Sequence, residues 1–145
     1  MASLDREPSQ LYVSVSAPDE ETYKRTCRPL VRDGWKRLME TLELLNSFSC
    51  PTVLRHTLLP GYNMHSPEAY ARLAELSNAT YIEPKAAMSV GYARYRFGYD
   101  EMARHSDIRR FAEALAEASG YRILDEHPPS SVVLLSRLEK PIKLC

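Results

Sequence analysis

The sequence contains no long apolar run, no net excess of charge and no apolar leader, and each lack excludes a class of protein. No stretch approaches the roughly 20 consecutive apolar residues that a membrane-spanning helix needs. The N-terminal segment lacks the apolar core of a secretion signal, so we expect no membrane partner. The formal net charge of +0 argues against a general nucleic-acid coat protein, although it permits a local basic patch.

Cysteine is scarce as well, being represented only by Cys27, Cys50 and Cys145. Their odd number and wide spacing indicate reduced thiols rather than a disulfide framework, which predicts a cytoplasmic protein. The chain has 145 residues, of which 44% are hydrophobic and 26% charged. These values are typical of one globular domain that is large enough to bury its own core.

The residue pattern predicts alternating strands and helices. Apolar and polar residues alternate over five predicted strands at 10–16, 52–59, 81–87, 121–126 and 132–137. Helical spacing predicts a short turn over 20–24 and helices that begin near Asp33, Ser66 and Ser106 or Asp107. This order favours an α/β fold of three parallel βα units followed by a short β-hairpin.

Strand parity places polar side chains on one face of the predicted sheet. The pairs that share this face are Ser14 with Ser16, Arg55 with Thr57, and Glu83 with Lys85. The opposite face is apolar and is interrupted only by His56. A polar face on three successive strands suits the inside of an open barrel that holds a polar ligand, but a solvated sheet face would give the same pattern. Ligands of such folds bind beyond the carboxyl ends of the strands.

A basic, tyrosine-rich loop follows the third predicted strand. Residues 85–110 contain six basic and three acidic residues. Guanidinium and aromatic planes suit phosphates and unstacked bases, so Arg94, Tyr95 and Arg96 are predicted RNA contacts. A solvated charged face and tyrosines that pack the loop are the alternative interpretation.

Several segments together resemble one enzyme family. The segments are 10–18 (QLYVSVSAP), 28–30 (RPL), 33–35 (DGW), 55–58 (RHTL), 63–67 (NMHSP), 83–91 (EPKAAMSVG), 105–109 (HSDIR) and 130–135 (SSVVLL). In this order they resemble the archaeal 4-demethylwyosine synthases, radical-SAM enzymes of tRNA wybutosine synthesis. The resemblance runs through about residues 10–137.

The resemblance implies a partial TIM barrel and a chemistry. Enzymes of this family join a carbon unit from pyruvate to N1-methylguanosine of phenylalanine tRNA, and they use S-adenosylmethionine and an iron–sulfur cluster. Their CxxxCxxC cluster motif lies in the first half of the barrel, and this sequence has no such motif. The resemblance therefore implies the C-terminal half of the enzyme, with no cluster or other metal on this chain, and no activity alone. We expect it to associate with the missing N-terminal half or with itself.

The same resemblance implies boundaries and site residues. It divides the chain into a lead-in (1–9), a half-barrel with its hairpin (10–137) and a tail (138–145). The residues implied for the cofactor pocket are Ser14, Ser16, Arg55 and Glu83, with Lys85 as a possible catalytic residue that holds a substrate carboxylate or a tRNA phosphate. The residues implied for tRNA contact are Asn63, His65, Arg94, Tyr95 and Arg96.

Three alternatives remain open at this point. Arg55 could form a salt bridge with Glu83 instead of binding a ligand, and His65 could be an ordinary exposed histidine. The whole chain could also be a non-catalytic α/β module that binds RNA alone or completes a partner.

Overall fold

A computed structural model describes residues 5–143. They form an α/β domain whose strands are Leu11–Ser14 (β1), Thr52–Leu58 (β2), Tyr81–Ala86 (β3), Arg122–His127 (β4) and Val132–Ser136 (β5). The helices are Glu20–Cys27 (α1), Gly34–Leu45 (α2), Pro67–Ser77 (α3) and His105–Ser119 (α4). Short 3-10 turns at Gly91–Tyr95, Tyr99–Glu101 and Pro128–Ser130 lie in the connections.

The five strands form one sheet in the order β1-β2-β3-β5-β4. The first three strands are parallel, whereas β5 runs antiparallel to β3 and β4 runs antiparallel to β5. The predicted α/β class, the three parallel strands and the terminal hairpin are thereby confirmed. The hairpin covers one edge of the parallel strands, so β1 keeps the other edge without a partner among the described residues.

The core lies between the apolar face of the sheet and the helices. Leu54, Leu58 and Ile82 on the sheet are fully buried, as are Leu42 of α2 and Leu115 of α4. Burying a side chain of this size stabilises the fold by roughly 1.5–3 kcal/mol. The alternation that places these residues inside leaves the polar face of β1–β3 on the other side of the sheet.

Two of the predicted helix starts differ in detail from the structure. Asp33 directly precedes α2, but its carboxylate binds Arg37 at 2.8 Å and does not cap the helix. The cap predicted at Ser106 or Asp107 is wrong, because α4 begins at His105. Asp107 instead accepts a hydrogen bond from the backbone N–H of Arg104, at 2.9 Å, and so satisfies a donor that the helix start leaves free.

The predicted boundaries stay a prediction. Residues 1–4 of the lead-in and 144–145 of the tail lie outside the described residues. Within residues 5–143, none of the helices is both long and apolar enough to cross a membrane.

Candidate functional site

A cleft of about 560 Å³ lies at the carboxyl ends of the three parallel strands. Its lining includes Ser16 after β1, Thr57 of β2 and Ala87 after β3. Clefts that bind small molecules typically measure roughly 300–1,000 Å³, and in α/β folds they lie beyond this end of the strands. The predicted rim of strand ends therefore coincides with a cleft of suitable size.

The lining of the cleft is basic and aromatic. Arg28 and Arg96 contribute guanidinium groups, whereas no aspartate or glutamate of the described residues lines the cleft. Tyr62, Tyr95 and Phe97 contribute aromatic rings. Guanidinium groups bind carboxylates and phosphates through paired hydrogen bonds, so this composition favours an anionic ligand.

Asn63 fixes the two strand ends that form the floor of the cleft. Its side-chain NH₂ donates to the carbonyls of Ser16 and Thr57, both at 2.8 Å. Its side-chain oxygen accepts from the backbone N–H of Leu59 at 2.8 Å, and the residue is 1% exposed. Both amide protons are used within the fold, so Asn63, a predicted tRNA contact, has no donor left for RNA and holds Ser16 beside Thr57.

His56 supports the same strand end from the apolar side of the sheet. It is fully buried, and its Nδ1 lies 2.7 Å from the carbonyl oxygen of Val15. Burial lowers the pKa of His56 to about 4, so the ring is neutral near pH 7 and donates this hydrogen bond from Nδ1. The single polar residue on the predicted apolar face is therefore a hydrogen-bonded core histidine.

Arg55 and Glu83 form an ion pair on the polar face of the sheet, farther from the carboxyl ends of the strands than the cleft. Arg55 Nη2 lies 2.6 Å from Glu83 Oε1, and the Tyr12 hydroxyl donates to Glu83 Oε2 at 3.1 Å. The Arg55 guanidinium also lies 4.6 Å from the centre of the Tyr12 ring. Ser14 occupies the same row and is exposed. Of the four predicted cofactor residues, only Ser16 lines the cleft; the salt-bridge alternative for Arg55 is what the structure contains.

Lys85 points away from the cleft lining and towards the hairpin. Its Nζ donates to the carbonyl of Ser130 at 2.9 Å, next to the register pair of Lys85 with Val132. This contact ties β3 to the turn between β4 and β5. The structure thus gives Lys85 a bond within the fold, and its predicted catalytic role stays a prediction.

The loop after β3 presents its tyrosines and arginines to solvent. Tyr92 and Tyr95 are 89% and 83% exposed, and Arg94 and Arg96 are exposed as well. Arg96 donates to the carbonyl of Thr26 at 3.1 Å, which fixes this part of the loop beside the end of α1. Tyr95 and Arg96 line the cleft, and the neighbouring Arg94 is exposed; their predicted contact with RNA stays a prediction.

His65 is exposed on the loop between β2 and α3. Its Nδ1 lies 3.0 Å from the hydroxyl of Ser66, and its Nε2 lies 3.5 Å from the hydroxyl of Thr22. Ser66 adopts a positive φ of 52° and makes no side-chain cap to α3, which begins at Pro67. His65 therefore lies beside the start of α1 and does not line the cleft.

One wall of the cleft comes from a segment without predicted site residues. Thr26, Cys27 and Arg28, at the end of α1, line the cleft beside the loop after β3. Burial raises the pKa of the Cys27 thiol, so it is not activated as a nucleophile. No group of three or more histidine, cysteine or carboxylate side chains in residues 5–143 could hold a metal ion. Cys145 lies outside the described residues.

The geometry defines an α/β domain with a basic cleft at the carboxyl ends of three parallel strands, and comparisons with known proteins show what it is similar to. A family model for wyosine base formation matches residues 76–137. The S-adenosyl-L-methionine-dependent tRNA 4-demethylwyosine synthase of Pyrococcus abyssi is 49% identical over 94% of this chain, and that of Methanocaldococcus jannaschii is 34% identical over 94%. The human enzyme, TYW1, is 32% identical over 88% of the chain.

Solved structures agree with these relatives. A structure of TYW1 with a lysine–pyruvate adduct bound superposes with a TM-score of 0.81 and 33% identity, over 90% of this chain and 41% of the other. A crystal structure of archaeal TYW1 gives a TM-score of 0.73 and 29% identity, over 94% and 42%. The chain is a homologue of the C-terminal part of the tRNA 4-demethylwyosine synthases. It spans 40% of the length of the Pyrococcus abyssi relative.

Proposed function

We propose that this chain contributes the C-terminal half of the active site of a radical-SAM tRNA 4-demethylwyosine synthase. The whole enzyme would join a pyruvate-derived carbon unit to N1-methylguanosine of phenylalanine tRNA. The observation that carries the proposal is the cleft at the carboxyl ends of β1–β3, which is basic and, within residues 5–143, lined by no carboxylate, in a chain similar to these enzymes. The role in catalysis would therefore be shared between two halves of one site.

The chain's own residues would bind and orient the ligands. The hydroxyls of Ser16 and Thr57 face the cleft and would hydrogen-bond S-adenosylmethionine, whose size suits a cavity of about 560 Å³. S-adenosylmethionine would supply the radical that starts the chemistry, together with an iron–sulfur cluster that we assign to the N-terminal half, where the family carries its CxxxCxxC motif. The exposed arginines and tyrosines of the loop after β3 would contact tRNA.

The partner would be the N-terminal half of such an enzyme, and the three βα units would complete a partial TIM barrel with it. The edge of β1 supports this, because its backbone has no strand partner among the described residues. An unpaired strand edge favours association with another strand. In the absence of the N-terminal half, the same edge would promote self-association.

Reconstitution from two halves tests the proposal. The chain is mixed anaerobically with the cluster-bearing N-terminal part of the Pyrococcus abyssi synthase, and cleavage of S-adenosylmethionine and formation of the tricyclic base on methylated phenylalanine tRNA are measured. We expect activity in the mixture and none from either half alone, because the cluster and the cleft lie on different chains.

The outcomes of this experiment separate the candidate functions. Association by light scattering without base formation would favour a module that completes a partner without taking part in catalysis. A mixture that neither associates nor reacts would contradict the proposal. Stoichiometric iron on the reconstituted chain alone would contradict the assignment of the cluster to the other half.

A further inference from the structure

A second basic segment borders the cleft at the end of α1. Residues 24–32, here called the basic corner, contain four basic residues and no acidic residue in a chain whose formal net charge is +0. Lys24 forms an ion pair with Glu20, and Arg25 donates to the carbonyl of Tyr62 at 3.0 Å. Arg28 and Arg32 are exposed and, within residues 5–143, form no ion pair. Two positive charges are therefore available to a ligand.

Arg28 ends α1 in a backbone conformation that residues other than glycine rarely adopt. Arg28 follows the last turn of α1 with a φ of 47° and a ψ of 57°, in the left-handed region. Glycine is the usual residue at such a helix end, and another residue there costs roughly 1–2 kcal/mol. Side chains kept in strained conformations occur preferentially at ligand sites, and this one lines the cleft.

The fold joins the basic corner to the loop after β3. Arg96 of that loop donates to the carbonyl of Thr26, so two segments that are 70 residues apart in sequence adjoin at the cleft. Arg28 of the first segment and Arg96 and Tyr95 of the second all line the cleft. Arginines that follow a backbone, together with exposed rings on which bases stack, are typical of surfaces that bind single-stranded nucleic acid.

We propose that Arg28 and Arg32 bind backbone phosphates of a single-stranded RNA segment whose bases contact the exposed Tyr92 and Tyr95 of the adjoining loop after β3. The inference rests on the proposed function for the choice of RNA as the anion. It adds a second wall to the RNA surface, at residues that the resemblance to the synthase family does not assign.

The test measures the affinity of the 145-residue chain for a fluorescent anticodon stem-loop of phenylalanine tRNA that carries N1-methylguanosine, at several salt concentrations. We expect R28A/R32A to weaken binding at least tenfold. We also expect the slope of log affinity against log salt to fall in magnitude by about 1.4, since each phosphate contact on a single strand contributes about 0.7. The control R72A/R122A removes two exposed arginines of α3 and β4 and should change affinity less than twofold.

Two further variants make the result specific. R28K/R32K keeps both charges, so it should retain the salt slope while it loses part of the affinity that the planar guanidinium gives. R94A/R96A removes two arginines of the loop after β3 and tests whether that loop binds RNA. A fully paired duplex of the stem alone should bind more weakly than the stem-loop and should respond less to R28A/R32A.

The outcomes separate this inference from the proposed function. If R94A/R96A weakens binding and R28A/R32A behaves like the control, the inference is wrong and the loop after β3 keeps its proposed role. If R28A/R32A impairs binding of S-adenosylmethionine or pyruvate to the reconstituted enzyme and leaves RNA affinity unchanged, the arginines bind a small carboxylate and the inference is also wrong. If the wild-type chain binds no RNA, either alone or with the N-terminal half, both this inference and the proposed function are wrong.

Discussion

Replacing Asn63 by alanine is expected to lower the free energy of unfolding by about 3 kcal/mol, at roughly 1 kcal/mol for each of the three hydrogen bonds that this buried side chain makes. The N–H of Leu59 would lose its partner in a buried environment, and the carbonyls of Ser16 and Thr57 would lose theirs in a partly buried one. Urea unfolding followed by circular dichroism measures the change. A loss below 1 kcal/mol would contradict the role of Asn63 as the link between the two strand ends.

Two matched variants show whether burial is the cause. Asn63→Asp keeps the acceptor for Leu59 but places a carboxylate against two carbonyl oxygens, so it should destabilise the fold at least as much as alanine does. Asn46→Ala also removes an amide that donates to two carbonyls, those of Glu43 and Leu76. Asn46 is exposed, so water replaces the lost donor and we expect a change of about 0.5 kcal/mol or less.

Strand parity predicted the sheet well because its physical basis is local. Strand side chains alternate with a period of two, which places Leu54, Leu58 and Ile82 on one face regardless of what packs against the sheet. All three are buried. The position of the hairpin does not follow from such a pattern. The antiparallel pairing of β5 with β3, and the bond from Lys85 to Ser130 that accompanies it, depend on which sheet edge is free once the parallel strands have formed.

The site was predicted less completely because it depends on contacts between distant segments. Asn63 lies in a loop and has the composition of a surface residue, yet it is buried because the strand ends leave carbonyls without partners. The basic corner has a signal in the sequence, four basic residues without an acidic one between 24 and 32. Its position beside Arg96 follows only from the fold, because the last turn of α1 lies against the loop after β3.

Helix starts illustrate the same limit on a smaller scale. Asp33, Ser66 and Asp107 all have the residue type of an N-cap, but none of them makes the hydrogen bond of an N-cap side chain to its own helix. Asp33 binds Arg37 instead, and Asp107 reaches back to the N–H of Arg104. Residue type therefore located each helix within one or two residues, whereas the partner of each polar side chain depended on neighbours that a single position does not reveal.

Acidification from pH 6.5 to pH 4.5 is expected to destabilise the domain mainly through His56. Its pKa is about 4 in the folded protein and about 6.5 in the unfolded chain. Between these values the unfolded state binds a proton that the folded state excludes. Stability therefore falls as the pH falls, with a slope that approaches about 1.4 kcal/mol per unit, and the loss between pH 6.5 and pH 4.5 is about 2 kcal/mol. Above about pH 7.5 this contribution is constant.

The structure supplies the reason for the low pKa and for the choice of interval. Protonation would add a proton at His56 Nε2, which is buried and has no hydrogen-bond partner among the described residues. The neighbouring Tyr70 ring, 4.5 Å away between centroids, stays neutral because burial raises the pKa of its hydroxyl. The pKa values of Asp19 and Glu126 are lowered by hydrogen bonds from Thr22 and His105, so those carboxylates lose their contribution only at more acidic pH.

Chemical denaturation at half-unit steps of pH, together with the titration of the His56 ring protons by NMR, measures both parts of this prediction. The ring of His56 should remain neutral down to about pH 5. The variant His56→Asn carries no ionisable group, so it should be less stable at pH 7 and should lose most of the slope between pH 4.5 and pH 6.5. If the slope persists in that variant, the acid sensitivity arises elsewhere. His56 donates to the carbonyl of Val15 next to Ser16, so it supports from one side of the sheet the same strand end that Asn63 fixes from the other.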